Sequence, residues 1–224
     1  MDKADIACAK CPFGDQDRIC KRIGGPHPDF CGTINAPDTH KRAKEIYLQE
    51  DTLRFAQEAA RQEKDCAANI DGKNLQIKPR IVETVEFCKR MGYKHLGFAF
   101  CGGLVKEARI VNEILETNGF KVTSVMCKVG AVDKTFLGLT DEEKKKPGQF
   151  ESMCNNIDQA LILNDAGTEF NIVMGLCVGH DSLFLENSKA RCTVLASKDR
   201  LTGHCPLQPI YLYDTFYGYL KKPL

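Results

Sequence analysis

The sequence predicts an α/β protein: a Rossmann-like three-layer domain with a mainly parallel sheet, preceded by a small N-terminal cysteine-rich metal-binding segment. Three observations lead there. From about residue 79 onward, short apolar runs alternate with apolar residues at helical spacing, the pattern of strands joined by helical crossovers. Three of the strand-like runs end at a cysteine, two of them with glycine beside it. The first 38 residues hold four of the twelve cysteines and little apolar periodicity.

Segment 1–38 contains GGPHPDFCGT, in which Pro26 and Pro28 remove backbone donors and restrict the residues before them, so no helix forms there. Its apolar surface is too small for a core, and four thiolates on a metal would order it. The α/β domain is expected over 39–224. Asp38 or Thr39 is a suitable N-cap, and Ala43, Ile46, Tyr47, Leu53, Ala56 and Ala60 repeat at helical spacing to about Asp65, with a break near Glu50–Asp51. Pro79 stands in the first turn of the next helix, Ile81, Val85, Cys88 and Met91 form its apolar face, and Gly92 ends it.

Strand and helix then alternate. His95–Phe100 reads as a strand, and Gly103–Thr117 as a helix with Leu104, Ala108, Val111 and Leu115 on one face. Phe120–Met126 is the second strand, and the polar run TDEEKKKPG a surface helical turn and a loop. Asn155–Asp165 is a helix, Phe170–Leu176 the third strand, His180–Glu186 a short helix and Thr193–Ala196 the fourth strand. The aromatic tail from Pro206 is expected to pack back onto the domain.

Composition narrows the class. The 224 residues are 43% hydrophobic and 27% charged, which suits a globular chain. A net charge of +1, with Lys and Arg dispersed, leaves no footprint for nucleic acid and no polybasic membrane anchor. No apolar run approaches the roughly 20 residues of a membrane helix. The opening MDKADIACAKC has no apolar leader region, so a cytoplasmic protein is expected. There thiols stay reduced, and twelve cysteines point to metal binding or redox chemistry rather than to disulfides.

The candidate site follows from position. Cys101, Cys127 and Cys177 directly follow the first, second and third strands, and Cys154 opens the helix before the third. Ligands of open parallel sheets bind beyond the carboxyl ends of the strands, which lie only about 4.8 Å apart. Three or four thiolates there suit soft metals, and one ligand per βα unit favours a 4Fe–4S cluster over zinc, whose ligands usually come in local pairs. The N-terminal group Cys8, Cys11, Cys20 and Cys31 reads C-x2-C-x8-C-x10-C, a metal clip that leaves zinc and a second cluster both open. Cys66, Cys88 and Cys192 read as structural, and Cys205 is ambiguous. His180, three residues after Cys177, is a candidate proton donor or the base of a Cys177/His180 thiol enzyme. Lys198 and Arg200, after the fourth strand, are candidate holders of an anionic substrate, with His204 nearby. Walker, dinucleotide-binding, zincin and serine-esterase motifs are missing from the sequence.

The N-terminal C-x2-C group, FCGGLVKEA, CKVG, CNNIDQALILN, GLCVGHDSLF and SKDRLTGH together resemble a family of uncharacterised cysteine-rich proteins, mainly of anaerobic bacteria and archaea, carrying the domain-of-unknown-function number eighteen forty-seven and usually labelled as predicted metal-binding. The resemblance spans nearly the whole chain and implies that both cysteine groups belong to the family pattern. It implies no reaction. GHCP stands where GHNP is usual, which argues against Cys205 as a shared ligand. The function expected is that of a metal-binding protein, with an iron–sulfur cluster at the strand ends serving redox or sulfur-removing chemistry. Its candidate partners are a small anionic or sulfur-containing substrate and a redox partner. A non-enzymatic zinc protein is the alternative from another class.

Overall fold

In the computed structural model, which describes residues 5–224, the chain falls into two units that meet in the sequence at Arg61 and Gln62. The first four residues of the expected segment 1–38 lie outside the described residues. After a single 3-10 turn at Cys8–Lys10, the first unit runs through turns and bends to α1 (Gly32–Asn35) and α2 (Pro37–Tyr47). Pro37 sits in the first turn of α2, where its missing N–H costs nothing. The helical pattern breaks at Leu48 and Gln49 and resumes as α3 (Glu50–Asp65), close to the break expected. Among the described residues of this unit no hydrophobic side chain is buried, in keeping with a segment too polar to build a core.

The second unit opens with a hairpin that the sequence reading did not foresee. Strands β1 (Ala67–Ile70) and β2 (Lys73–Gln76) pair antiparallel around Asp71 and Gly72, both in left-handed conformation (φ 52° and 77°). Asp-Gly at the tip is the turn chemistry of a two-residue hairpin. Helix α4 (Arg80–Met91) follows, closed by Gly92 in the left-handed conformation at φ 77°. Strand β3 (His95–Phe100), α5 (Val105–Thr117), β4 (Lys121–Met126), α6 (Asn156–Asp165), β5 (Phe170–Met174), α7 (His180–Asn187) and β6 (Arg191–Ala196) then alternate as expected.

The four later strands form one parallel sheet in the order β4-β3-β5-β6. From β3 the chain steps outward to β4, then returns past β3 to β5 and onward to β6. Right-handed crossovers in opposite directions put their helices on opposite faces. Helix α5 accordingly packs on β3 and β4 on one face, while α6 and α7 pack on each other on the other. Central β5, FNIVM, is buried throughout, as a strand covered on both faces must be. The α6 side of the core gathers Ala99, Val125, Ala160, Leu163, Val173 and Phe184. Gly97 is required here, since a Cβ would stand 1.9 Å from Oδ1 of the buried Asn171.

The aromatic tail departs from expectation. It holds α8 (Gln208–Tyr211) and a closing 3-10 turn at Gly218–Lys221. Tyr217 is buried, whereas Tyr211, Phe216 and Tyr219 are exposed. A chain laid down as single turns buries only the residue that faces inward.

Gln159 of α6, fully buried, joins the helix to the strand ends. Its Nε2 donates to Val125 O (2.6 Å) and Phe100 O (3.2 Å), and its Oε1 accepts from Asn156 Nδ2 (2.8 Å). Replacing it with leucine keeps the volume and leaves buried partners unpaired, at a cost of about 1–3 kcal/mol. Urea unfolding of Gln159→Leu should show a lower midpoint with an unchanged m value.

Candidate functional site

The strand order creates the site. Connections leave β3 and its neighbour β5 toward opposite faces, so a crevice opens beyond their carboxyl ends, the switch point at which such sheets bind ligands. The pairing of Phe100 with Met126 carries directly into Cys101 and Cys127, which therefore emerge on the same face. Cys101 N donates to Met174 O (3.1 Å) and Cys127 N to Phe100 O (2.9 Å), extending the ladder by one rung. Cys177 follows the end of β5 after Gly175 and Leu176. Gly175 has φ 66°, and a Cβ there would lie 2.3 Å from Leu104 Cδ1, so only glycine fits. Cys154, which the strand pattern alone did not place, arrives through a long-range bond from Asn155 N to Cys127 O (2.8 Å).

All four cysteines line one crevice of about 850 Å³, together with His180, Lys198 and Arg200. Cys127 lies between Cys101 and Cys154. Gly102 N donates to Cys127 Sγ (3.3 Å) and Gly103 N to Cys101 Sγ (3.4 Å). The hydrogen bond with Cys127 brings the Cys101 thiol down to about 4, helped by the Gly103 N–H and the Lys198 ammonium against the opposing effect of burial. The same neighbour brings Cys154 down to about 5, with Lys128 and His180 adding positive potential. Its hydrogen bonds to Cys101 and Cys154, with burial, push Cys127 up, opposite in direction to its two neighbours. Sulfur at Cys177 accepts from the Arg200 guanidinium (3.2 Å).

Lys198 and Arg200, expected to hold substrate, are thus turned toward sulfur. His180 begins α7 and shares a turn with Cys177 through its backbone N–H to Cys177 O (3.0 Å), yet its Nδ1 is buried without a hydrogen-bond partner. Cys177 therefore meets a cation rather than a base. His204 does not join the crevice: it folds onto Asp199, whose N–H donates to His204 Nδ1 (3.1 Å).

Cys8, Cys11, Cys20 and Cys31 line a separate cavity of about 60 Å³ in the first unit, with His27 at its wall. Among the described residues, no three His, Cys, Asp or Glu side chains are arranged as a ready single-ion site. Of the cysteines expected to be structural, Cys88 is buried and desolvation pushes it up to about 12. Burial likewise raises Cys192. Cys66 lies at the junction of α3 and β1, its single S–H within reach of Glu63 O (2.8 Å) and Gln76 Oε1 (3.0 Å). Cys205 is exposed.

The sequence reading missed one wall. Lys128, Lys134, Lys145, Lys146 and Glu151, all from the connection between β4 and α6, also line the crevice. The available signal was positional, since a βα connection at this edge of a sheet belongs to the site by topology.

Residues 31–195 match the family described as "Protein of unknown function (DUF1847)". The chain belongs to that family. It is also 42% identical over 195 residues to "Uncharacterized protein MJ0455" of Methanocaldococcus jannaschii, an alignment covering 87% of this chain and 93% of that protein. The family match includes Cys31 and the four strand-end cysteines. Cys8, Cys11, Cys20, Lys198 and Arg200 lie outside it. Among the described residues no helix is long and apolar enough to cross a membrane.

Thiolates, not thiols, react with alkylating agents. In reduced protein stripped of metal with a chelator, iodoacetamide at pH 6 should label partly buried Cys154 well before fully buried Cys88, since that pH lies above the lowered value of the first and far below the raised value of the second. Peptide mapping by mass spectrometry reads the order, and Cys88 should react only after unfolding.

Proposed function

We propose that the strand-end crevice is a thiolate centre holding an iron–sulfur cluster through Cys101, Cys127, Cys154 and Cys177, and that it serves redox or sulfur-removing chemistry on a small substrate. The observation that carries this reading is that four cysteines from four separate segments line one crevice at the switch point of the sheet. An all-sulfur donor set is the set that soft metals and clusters take. One thiol per βα unit differs from the local pairs of structural zinc. Buried thiolate charge needs compensation, and Lys128, Lys198 and Arg200 supply it at Cys154, Cys101 and Cys177.

Bound there, a cluster would supply electron transfer, or Lewis acidity if one iron is left without a cysteine. The residues of the chain have their own parts. Gly102 and Gly103 N–H groups stabilise negative charge on sulfur. Cys127 would give up its proton on ligation, and we assign to His180, whose Nδ1 is buried without a hydrogen-bond partner, the role of holding a proton at the crevice. We assign the cysteines of the first unit to a second metal, zinc or another cluster, on the ground that all four line one cavity. Such chemistry calls for a reducing compartment such as the cytoplasm, and the redox branch for a redox partner.

Protein purified without oxygen should be coloured and contain iron and acid-labile sulfide in about equal amounts. Cys127→Ser should remove the strand-end share of both, while Cys205→Ser, at an exposed position, should retain it. Stoichiometric zinc lost in Cys127→Ser would replace the cluster with a zinc centre. Metal content unchanged in Cys127→Ser would show that the crevice cysteines are not ligands.

A further inference from the structure

We infer that the connection between β4 and α6 is a built flap that binds the anionic end of a small organic carboxylate or phosphate, with Lys145 and Lys146 as its anion-binding residues. The flap, residues 128–153, doubles back on itself. Asp133 and Ser152 form an antiparallel bridge, Met153 N donates to Val132 O (2.8 Å), and Lys134 N to Glu151 O (3.0 Å). Four of its five acidic residues, all but exposed Glu142, are engaged in holding it. The Asp133 carboxylate accepts from Thr135 N and Glu151 N (both 2.9 Å). Lys144, its side chain only 7% exposed, places its ammonium between Asp133 (3.3 Å) and Asp141 (3.2 Å). The Glu151 carboxylate accepts from Lys145 N (2.7 Å) and Lys146 N (3.1 Å) and pairs with Lys134.

Lys144, pinned between two carboxylates, and the two backbone bonds to Glu151 fix the next two residues at the crevice wall. Lys145 and Lys146 are among the residues of that wall, and among the described residues neither ammonium has a carboxylate within ion-pair reach. The other cations are committed: Lys128 to Ser152 O (2.6 Å), Lys134 to Glu151, Lys198 to Cys101 and Arg200 to Cys177. Glu151 is the single carboxylate among the lining residues. What remains is an uncompensated cationic pair at the flap, in the same crevice as the sulfurs, whose volume falls in the range of small-molecule sites, about 300–1,000 Å³. Leu137 and Phe150, largely exposed yet lining the same crevice, offer apolar surface for the body of the ligand. The ligand would enter with its charged end on Lys145 and Lys146 and its other end toward Cys101, Cys127 and Cys177. This orientation rests on the proposed thiolate centre for what the far end meets; the anion site itself does not.

The test is calorimetric titration of the anaerobically purified full chain with benzoate and with phenyl phosphate at constant ionic strength, alongside metal and sulfide analysis. At least one probe should bind tighter than about 1 mM, the upper end of ordinary substrate affinities. Which one binds identifies the charged end. The double variant K145A/K146A should bind that probe at least about tenfold more weakly, the equivalent of one charge-assisted hydrogen bond, with iron and sulfide unchanged. Absence of binding for both probes, or equal affinity in the double variant, would overturn the flap site. A metal-loaded protein that binds neither probe leaves the thiolate centre standing and removes the flap site. A protein that binds the probe and holds no metal does the reverse.

Discussion

Four cysteine sulfurs, gathered in one crevice at the carboxyl edge of a parallel sheet, set the constraint that the second unit is arranged around. Negative charge on half-buried sulfur is costly unless it is paired and hydrogen-bonded. Each sulfur here meets a donor: Gly103 N–H and Lys198 at Cys101, Gly102 N–H at Cys127, Lys128 near Cys154 and Arg200 at Cys177. These donors come from the turn after β3, the flap and the loop after β6. The site is thus assembled by tertiary structure.

The sheet makes that assembly rigid. Parallel register places Cys101 and Cys127 side by side, Gln159 fastens α6 to the ends of β3 and β4, and Asn155 N fastens the start of α6 to Cys127 O. Glycine at 175 lets the turn after β5 pass against Leu104. Substitution at any of these points would act on the sulfur geometry through the backbone, without touching a sulfur. The asymmetry between Cys88 and Cys101 makes the same point about chemistry. Both are buried cysteines, but at Cys88 burial acts alone and raises the thiol, whereas Cys101 has donors that favour its anion.

Much of this was legible in the sequence. The alternation from Pro79 onward gave helices and strands close to their observed bounds, because apolar period distinguishes them. The three cysteines after strands were legible because topology fixes where strand ends meet. Cys154 was not placed by the same logic, since its position depends on one long-range backbone bond. The hairpin at Asp71-Gly72 was overlooked because its strands are four residues each, with β2 exposed throughout, and carry no apolar stripe. TDEEKKKPG read as a surface helical turn and a loop, and the turn is there at Asp141–Glu143. In space its charges separate: Asp141 and Glu143 are taken up by Lys144 and by Thr140 N on the flap itself, and Lys145 and Lys146 are left at the crevice without a carboxylate partner. His204 misled in the opposite way, being close to Lys198 in sequence while folded onto Asp199.

The most direct test is X-ray absorption at the metal edge on anaerobically purified full chain carrying Cys8→Ser, Cys11→Ser, Cys20→Ser and Cys31→Ser, so that any bound metal reports the strand-end site alone. The account predicts a first shell of sulfur at about 2.3 Å. A first shell of nitrogen and oxygen, or protein that holds no metal, would contradict it.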